Sequence, residues 1–236
     1  MYLFKYIYCQ GRSSIFFLNI KFIHMKDLSD LRISYEKHKL NKESLDEDPL
    51  VLFKAWFEEV SKSKEVKEPN AMTLSTVDSS NTPRNRVVLL KKFSKKGFVF
   101  YTNYSSNKGK SIADNPNVCL SFFWPSHERQ VIIKGSCKLL TEKESDEYFY
   151  SRPKDSQIGA VVSDQSKIIP NRKFIEDKFS SVLKSKSKII RPKHWGGIVV
   201  SYDSIEFWQG RKNRLHDRIL FEKNKNNNWI CNRLSP

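Results

Sequence analysis

Apolar side chains recur at three- and four-residue steps from Leu52 through Phe53, Trp56 and Phe57 to Val60, the spacing of one buried helix face. Asp48 and Pro49 stand just before it, a good N-cap followed by a residue whose fixed φ suits the first helical turn. From Ala71 the period shortens to two. Alternation and short apolar runs predict strands over 71–77, 84–91, 97–103, 118–124, 130–140, 197–201, 205–208, 219–222 and 229–233, with polar turns such as 78–83 between them. Helical spacing returns at 105–115, with Ile112 and Ala113 facing inward, and at 170–186, with Phe174, Phe179 and Leu183 inside. Thr141 followed by Glu144 predicts a capping box and a helix carrying Tyr148 and Phe149. Residues 156–162 read as a short helix or turn. Residues 26–47 read as a polar arm with at most one short helix, in which Leu31, Arg32 and Tyr35 fall at helical spacing.

These strands joined by short turns, with a few helices, predict a mainly β fold, a small antiparallel barrel with helices packed around it. No internal repeat or long linker interrupts residues 26–236, which are read as one domain. Residues 1–25 are read as an N-terminal extension. The first 24 are rich in Phe, Ile and Tyr and contain no acid. The readings open for them are translation upstream of a start at Met25, a disordered tail or an organelle-targeting segment.

Composition changes this picture in two respects. Aromatic residues make up 13% of the 236, 16 of them Phe, which suits a β-rich core. Lys and Arg number 42 against 26 acids, a net charge of +16 that would suit nucleic acid or an anionic membrane. The lysines are spread from end to end, however, with no zinc-finger spacing, RNP-type motif or basic heptad helix. The charge is therefore read as a basic surface around an anionic small-molecule site, with no nucleic-acid and no membrane partner. No apolar run reaches the roughly 18–20 residues of a membrane span. Cys9, Cys119, Cys137 and Cys231 form no C-x-x-C pair, and Cys119 and Cys137 fall in strands as small buried hydrophobes. No disulfide framework is expected, and a reducing, cytoplasmic compartment is. The five histidines show no ligand spacing, and no metal is expected. There is neither a G-x-G-x-x-G nor a P-loop motif.

The richest stretch chemically is Glu206-Phe207-Trp208-Gln209-Gly210 followed by Arg214-Leu215-His216-Asp217-Arg218. Arginine offers a fixed fork of donors for phosphate or carboxylate, histidine exchanges a proton near neutrality, and tryptophan gives a flat apolar wall. Taken alone, the segment is either one wall of a pocket or a solvated turn with a local ion pair. Elsewhere, Arg86 and Lys91 bracket an apolar run. Tyr101 and Thr102 end a strand, and Ser106, Lys108 and Lys110 follow at a helix start, a ready phosphate site. Gln130 opens another strand. Tyr148, Arg152 and Ser156 recur at four-residue steps, although Pro153 argues for a corner rather than a continuous helix. Together those three would clamp a second phosphate.

These segments in this order resemble the pyridoxine (pyridoxamine) 5′-phosphate oxidases of the FMN-binding split-barrel family. The resemblance covers about residues 31–236. It rests on Arg86-Val-Val-Leu-Leu-Lys91, Phe100-Tyr-Thr-Asn103, Glu128-Arg-Gln130, Ser151 to Ala160, Gln165-Ser166, Trp195-Gly-Gly197 and the two C-terminal motifs above. It implies a split β-barrel and a homodimer with two FMN sites at the subunit interface. It implies FMN contacts from Arg86, Lys91, Tyr101, Thr102, Ser106, Lys108, Gln130, Gln165, Ser166, Trp208 and Arg218. The substrate phosphate would meet Lys91, Tyr148, Arg152 and Ser156. Arg214 and His216 would be catalytic, facing the pyridine ring, with Asp217 in a structural ion pair. Arg32 and Tyr35 match the arm that covers the substrate in the family. The implied reaction oxidises pyridoxine or pyridoxamine 5′-phosphate to pyridoxal 5′-phosphate, passing a hydride equivalent from the 4′ carbon to the flavin and then to oxygen, which leaves as hydrogen peroxide. One position departs: family members often carry a basic residue between Ser106 and Lys108, where this chain has Asn107, leaving Lys108 and Lys110 to compensate. The alternative on the same fold is a flavin or deazaflavin reductase using a nicotinamide donor. The joint presence of Tyr148, Arg152, Ser156, Arg214 and His216 argues against it.

Overall fold

Local chemistry starts the first long helix where the sequence places it. The Asp48 carboxylate accepts the Leu50 N–H at 3.0 Å and caps helix α1 (Pro49–Ser63), which ends at a left-handed Lys64. The computed structural model describes residues 28, 30–31, 33–185 and 187–236. Residues 1–25, Arg32 and Lys186, on which expectations were placed above, lie outside the described residues. The chain divides into two compact units, Met1–Ile33 and Ser34–Pro236. In the first, the described residues form one turn, the Leu31 N–H donating to the Leu28 carbonyl at 3.1 Å.

The second unit holds nine strands among the described residues: β1 (Ala71–Val77), β2 (Pro83–Leu89), β3 (Lys92–Ser94), β4 (Gly97–Asn103), β5 (Asn117–Trp124), β6 (Arg129–Leu139), β7 (Trp195–Gln209), β8 (Asp217–Lys223) and β9 (Trp229–Leu234). All pair antiparallel in one sheet of order β2-β1-β5-β6-β7-β4-β3, with β8 joining β7 and β9. The sheet curls into a half-barrel flanked by helices. Its concave side takes Phe53 of α1, which is fully buried against the rings of Phe93, Phe98, Phe122 and Trp124. Helices α2 (Asn107–Asp114), α3 (Glu142–Ser151), α4 (Lys154–Val162) and α5 (Arg172–Lys184) complete the fold. The capping box at Thr141 and Glu144 is present at the start of α3.

Four expectations need correction. The strands expected at 197–201 and 205–208 are one strand, β7. The polar interruption between them is a bulge: Gly135 faces Tyr202 and Lys134 faces Ser204, so Asp203 is the extra residue. The strand expected over 84–91 ends at Leu89. The Lys91 N–H donates to the Val99 carbonyl at 2.8 Å as the chain leaves β2 and turns into β3. In α2, Ile112 is buried but Ala113 is exposed. In α5 the amphipathic pattern exists, yet Phe174 and Leu183 are exposed and Phe179 is half-buried, because among the described residues its main packing partner is the short helix α4. Residues 34–41 form neither helix nor strand and bend at Lys37, and among the described residues the helical piece before α1 is a three-residue 3₁₀ turn, Lys42–Ser44. No helix among the described residues is long and apolar enough to cross a membrane.

β7 is the member that organises the site. On one edge it pairs with β6 along nearly its whole length. On the other it pairs with β4 from Trp195 to Val200 and with β8 from Ser204 to Gln209. The two ends of β7 therefore serve two different neighbourhoods.

Candidate functional site

At the first end lie two adjoining cavities of about 640 and 680 Å³, ordinary sizes for a small-molecule pocket. The first is walled by β4, α3, α4 and the end of β2. It gathers Lys91, Tyr101, Thr102, Tyr148, Arg152 and Ser156. The second lies between β2 and the start of α2 and gathers Arg84, Arg86, Asn107 and Ser166. Lys108 and Gln165 line both. Among the described residues, five cations, Arg84, Arg86, Lys91, Lys108 and Arg152, line this space, and no carboxylate does.

Each cation is placed by its local structure. Arg86 reaches back across β1, donating to the Thr76 hydroxyl at 2.8 Å and the Leu74 carbonyl at 3.2 Å. Ser106, fully buried, caps α2 and accepts a 3.0 Å bond from Lys108 Nζ, which also donates to Gln165 Oε1 at 2.8 Å. The Asn107 N–H donates to the Ser166 hydroxyl at 3.3 Å. Arg84, not Lys110, supplies the additional positive charge beside Asn107. Arg152 is the corner residue after α3, with Pro153 breaking the helix; the Gln157 side chain holds the Arg152 carbonyl at 2.8 Å. Its guanidinium lies 4.6 Å from the Trp195 ring centroid.

Tyr101, Tyr148 and Trp195 form a near-parallel aromatic slab: the two tyrosine rings are 3.7 Å apart and Trp195 lies 5.7 Å from Tyr101. Trp195 is fixed by Arg191, whose Nη1 donates to its carbonyl at 2.6 Å while Nε holds Asp146 of α3. Burial pushes the Tyr101 phenol up to about 12, so it remains a donor. Two buried polar atoms here have no partner among the described residues, Tyr101 Oη and Arg152 Nη1. A leftover pair of buried donors in a cation-lined space is costly unless an acceptor ligand completes it. Gly159 of α4 faces the same cavity, and a Cβ there would meet nothing within 4 Å. A mid-helix glycine costs about 1 kcal/mol relative to alanine, and here it keeps ligand volume open. The residues fit a phosphate-bearing ligand with a flat ring.

At the second end of β7 is a separate cluster. Gln130, Trp208 and Arg218 are cross-strand neighbours on β6, β7 and β8. Gln130 donates to the Ser121 hydroxyl at 3.2 Å, and Arg218 is held by Glu206 at 2.7 Å. The His216 ring centroid is 4.6 Å from that of Trp208, and Tyr35 stands 5.7 Å from Trp208 and 5.9 Å from His216. His216 Nδ1 accepts the Arg211 N–H at 3.1 Å. Burial and the nearby Arg214 hold its pKa below the usual histidine value. The ring is therefore neutral at pH 7 with its proton on Nε2, an available donor. Arg214 is exposed, at a positive φ of 61°. Asp217 pairs with Arg211 at 3.2 Å and Arg233 at 2.8 Å. No hydrogen bond or ring contact among the described residues joins this cluster to the cavity. From Gly197 to Trp208 the strand runs on the order of 36 Å at ~3.3 Å per residue.

Of the residues expected from the sequence, the structure brings Arg86, Lys91, Tyr101, Thr102, Lys108, Tyr148, Arg152, Ser156, Gln165 and Ser166 around one space, with Ser106 behind Lys108. It puts Tyr35, Gln130, Trp208, Arg214, His216 and Arg218 elsewhere. The sequence expectations missed Arg84, Gly159 and the Trp195 wall, for which a strand-end tryptophan before two glycines was the available signal.

Residues 59–186 match the family described as pyridoxamine 5′-phosphate oxidase, and residues 195–236 match the pyridoxine 5′-phosphate oxidase C-terminal dimerisation region. The chain is similar to the pyridoxine/pyridoxamine 5′-phosphate oxidase of Flavobacterium psychrophilum, 51% identical over 214 residues that cover 90% of this chain and 100% of the relative. It is also similar to the protein of that name from Flavobacterium johnsoniae, 52% identical over 89% of this chain and 100% of the relative. Among solved structures, PhzG from Burkholderia lata 383, in complex with tetrahydrophenazine-1-carboxylic acid, shares the fold. Its TM-score is 0.81 at 24% identity, covering 86% of this chain and 100% of that one.

Proposed function

Since the chain belongs to the pyridoxamine 5′-phosphate oxidase family, we propose that it is a homodimeric, FMN-dependent oxidase making pyridoxal 5′-phosphate from pyridoxine or pyridoxamine 5′-phosphate. The observation that carries this reading is the cavity with five cations, no carboxylate and two unpartnered buried donors. Two phosphate-bearing ligands account for so much convergent positive charge.

Arg86, Lys108, Gln165 and Ser166, with Ser106 supporting Lys108, would hold FMN at its phosphate side, and Tyr101 and Thr102 would line its path toward Lys91. Lys91, Tyr148, Arg152 and Ser156 would clamp the substrate phosphate. Gln130, Trp208 and Arg218 would reach the flavin of the other subunit, and Arg214 and His216 the pyridine ring of the substrate bound beside it. The separation of the two clusters along β7 supports this division, because a two-fold axis would allow the aromatic end of one copy to complete the cavity of the other. The match of residues 195–236 to a dimerisation region agrees with it. When bound, FMN supplies the two-electron chemistry, accepting a hydride equivalent from the substrate's 4′ carbon, with oxygen as the final acceptor giving peroxide. The protein's part is positional. Arg214 polarises the substrate and holds it in place, and His216 donates from Nε2 to a ring substituent. Tyr35 covers it.

The test is an anaerobic absorbance spectrum. The purified protein should be yellow, lose flavin absorbance on addition of pyridoxine 5′-phosphate, and release peroxide on admission of air. A protein that takes up no FMN, or whose flavin is reduced by NADPH and not by pyridoxine 5′-phosphate, would overturn the reading.

A pH effect follows from Lys108. Burial, with Arg86 nearby, brings its ammonium down to about 8 from an ordinary 10.5. Between those values the unfolded chain binds more protons than the folded one, so this group's contribution to stability rises with pH across that window. A bound phosphate dianion favours the charged form. FMN affinity is therefore expected to weaken as pH rises through about 8, and Lys108→Met to lose most of that dependence. Fluorescence titrations of FMN between about pH 7 and 9.5 check it; parallel slopes in the two proteins would remove Lys108 from the phosphate site.

A further inference from the structure

We propose that Glu128 and Asp217 are positioning residues that fix the segment 35–40 as an arm across the Trp208–His216 face. Apart from exposed pairs of Glu36 with Lys212 and His38 with Glu59, packing holds little of the segment: between Ser34 and Lys39 no side chain is buried, and Leu40 is the first that is. Two carboxylates grip its backbone instead. Glu128, in the turn before β6 and only 7% exposed, accepts the Lys37 N–H at 3.0 Å through Oε2. The Lys37 ammonium donates to the Ser126 carbonyl of the same turn at 2.7 Å. Asp217, at the start of β8, accepts the Leu40 N–H at 3.1 Å, and Arg233, itself held by Asp217, donates to the Leu40 carbonyl at 2.9 Å.

These grips come from two different strand ends and fall three residues apart on the arm. Together they set both its position and its direction. N–H bonds to a carboxylate are charge-assisted and stronger than neutral ones. The result is the placement of Tyr35, edge-on to Trp208 and beside His216. Gly210 makes room for it: a Cβ there would lie 2.7 Å from Tyr35 Cγ. The Gly210 N–H in turn donates to the Glu128 carbonyl at 2.7 Å. Glu128 therefore holds both the arm, by its side chain, and the turn the arm crosses, by its backbone.

The inference rests on the reading that Tyr35 covers the substrate, and the test separates the two. Glu128→Gln retains an acceptor for the Lys37 amide, and Glu128→Ala removes it. Both keep a β-carbon at the same left-handed position. In the FMN-loaded protein, hydrogen exchange of the amides at 37–40 should speed up about tenfold in Glu128→Ala, the effect of one charged hydrogen bond. KM for pyridoxine 5′-phosphate should rise by a similar factor, and kcat should change less than about twofold. Glu128→Gln should recover most of both. Asp217→Ala should accelerate the same amides independently. Unchanged exchange at 37–40 in Glu128→Ala, or acceleration spread equally over α1 and β6, would overturn the proposal. So would faster exchange at unchanged KM, because the arm would then serve no substrate. Exchange is read without turnover, so a protein that failed as an oxidase would still have its arm judged.

Discussion

Arg152→Ala is expected to raise KM for pyridoxine 5′-phosphate on the order of 100-fold while FMN stays bound. Hydrogen bonds to charged groups contribute about 1.5–3 kcal/mol each, and a guanidinium meets phosphate with two. Arg152 is suited to that task by its corner position. Pro153 ends the helix and Gln157 ties down the Arg152 carbonyl, while Trp195 supports the guanidinium face. Burial lowers its pKa, and one of its buried nitrogens has no partner among the described residues. Arg152→Lys should recover only part of the loss, since an ammonium is a point charge without the fork. Steady-state kinetics, with the flavin-to-protein absorbance ratio as the control, decide it. An unchanged KM would take Arg152 out of the substrate clamp; loss of flavin would assign it to the cofactor.

Phe53→Ala should be the most damaging single change to stability, by about 3–5 kcal/mol. Phe53 is fully buried and touches five aromatic rings, from Phe57 on its own helix to Phe93, Phe98, Phe122 and Trp124 on the sheet. No small motion of α1 refills that space, because Trp56 and Val60 are also buried on the same face. For a chain of this size the loss corresponds to a fall in Tm of roughly 6–20 °C. Thermal denaturation followed by circular dichroism measures it. A fall below about 3 °C would mean the helix repacks and that its seat is looser than the ring contacts suggest.

What the sequence disclosed follows from how local each signal is. The N-cap at Asp48 and the capping box at Thr141 and Glu144 are complete within a few residues, and both formed as expected. The bulge at Asp203 was read as a break between strands because its cause is β6, a remote partner whose register shifts opposite it. The inward assignment of Phe174 and Leu183 failed for a related reason: periodicity identifies an apolar face but not what covers it. Motif order gathered the candidate site residues into one set but said nothing of their division between the two ends of β7. Glu128 sat inside a recognised motif, yet its side-chain partner is an amide ninety-one positions away.

The length of β7 carries one more consequence. The strand acts as a ruler, with the cavity wall at Trp195 at its first mark and Trp208 near its last. Side chains alternate faces along it, so deleting one residue beyond the Asp203 bulge would turn Phe207 out of the core and Trp208 into it. Many substitutions along the strand leave that measure intact. An insertion or deletion does not, and residues 195–209 should accordingly be the part of this chain least able to change in length.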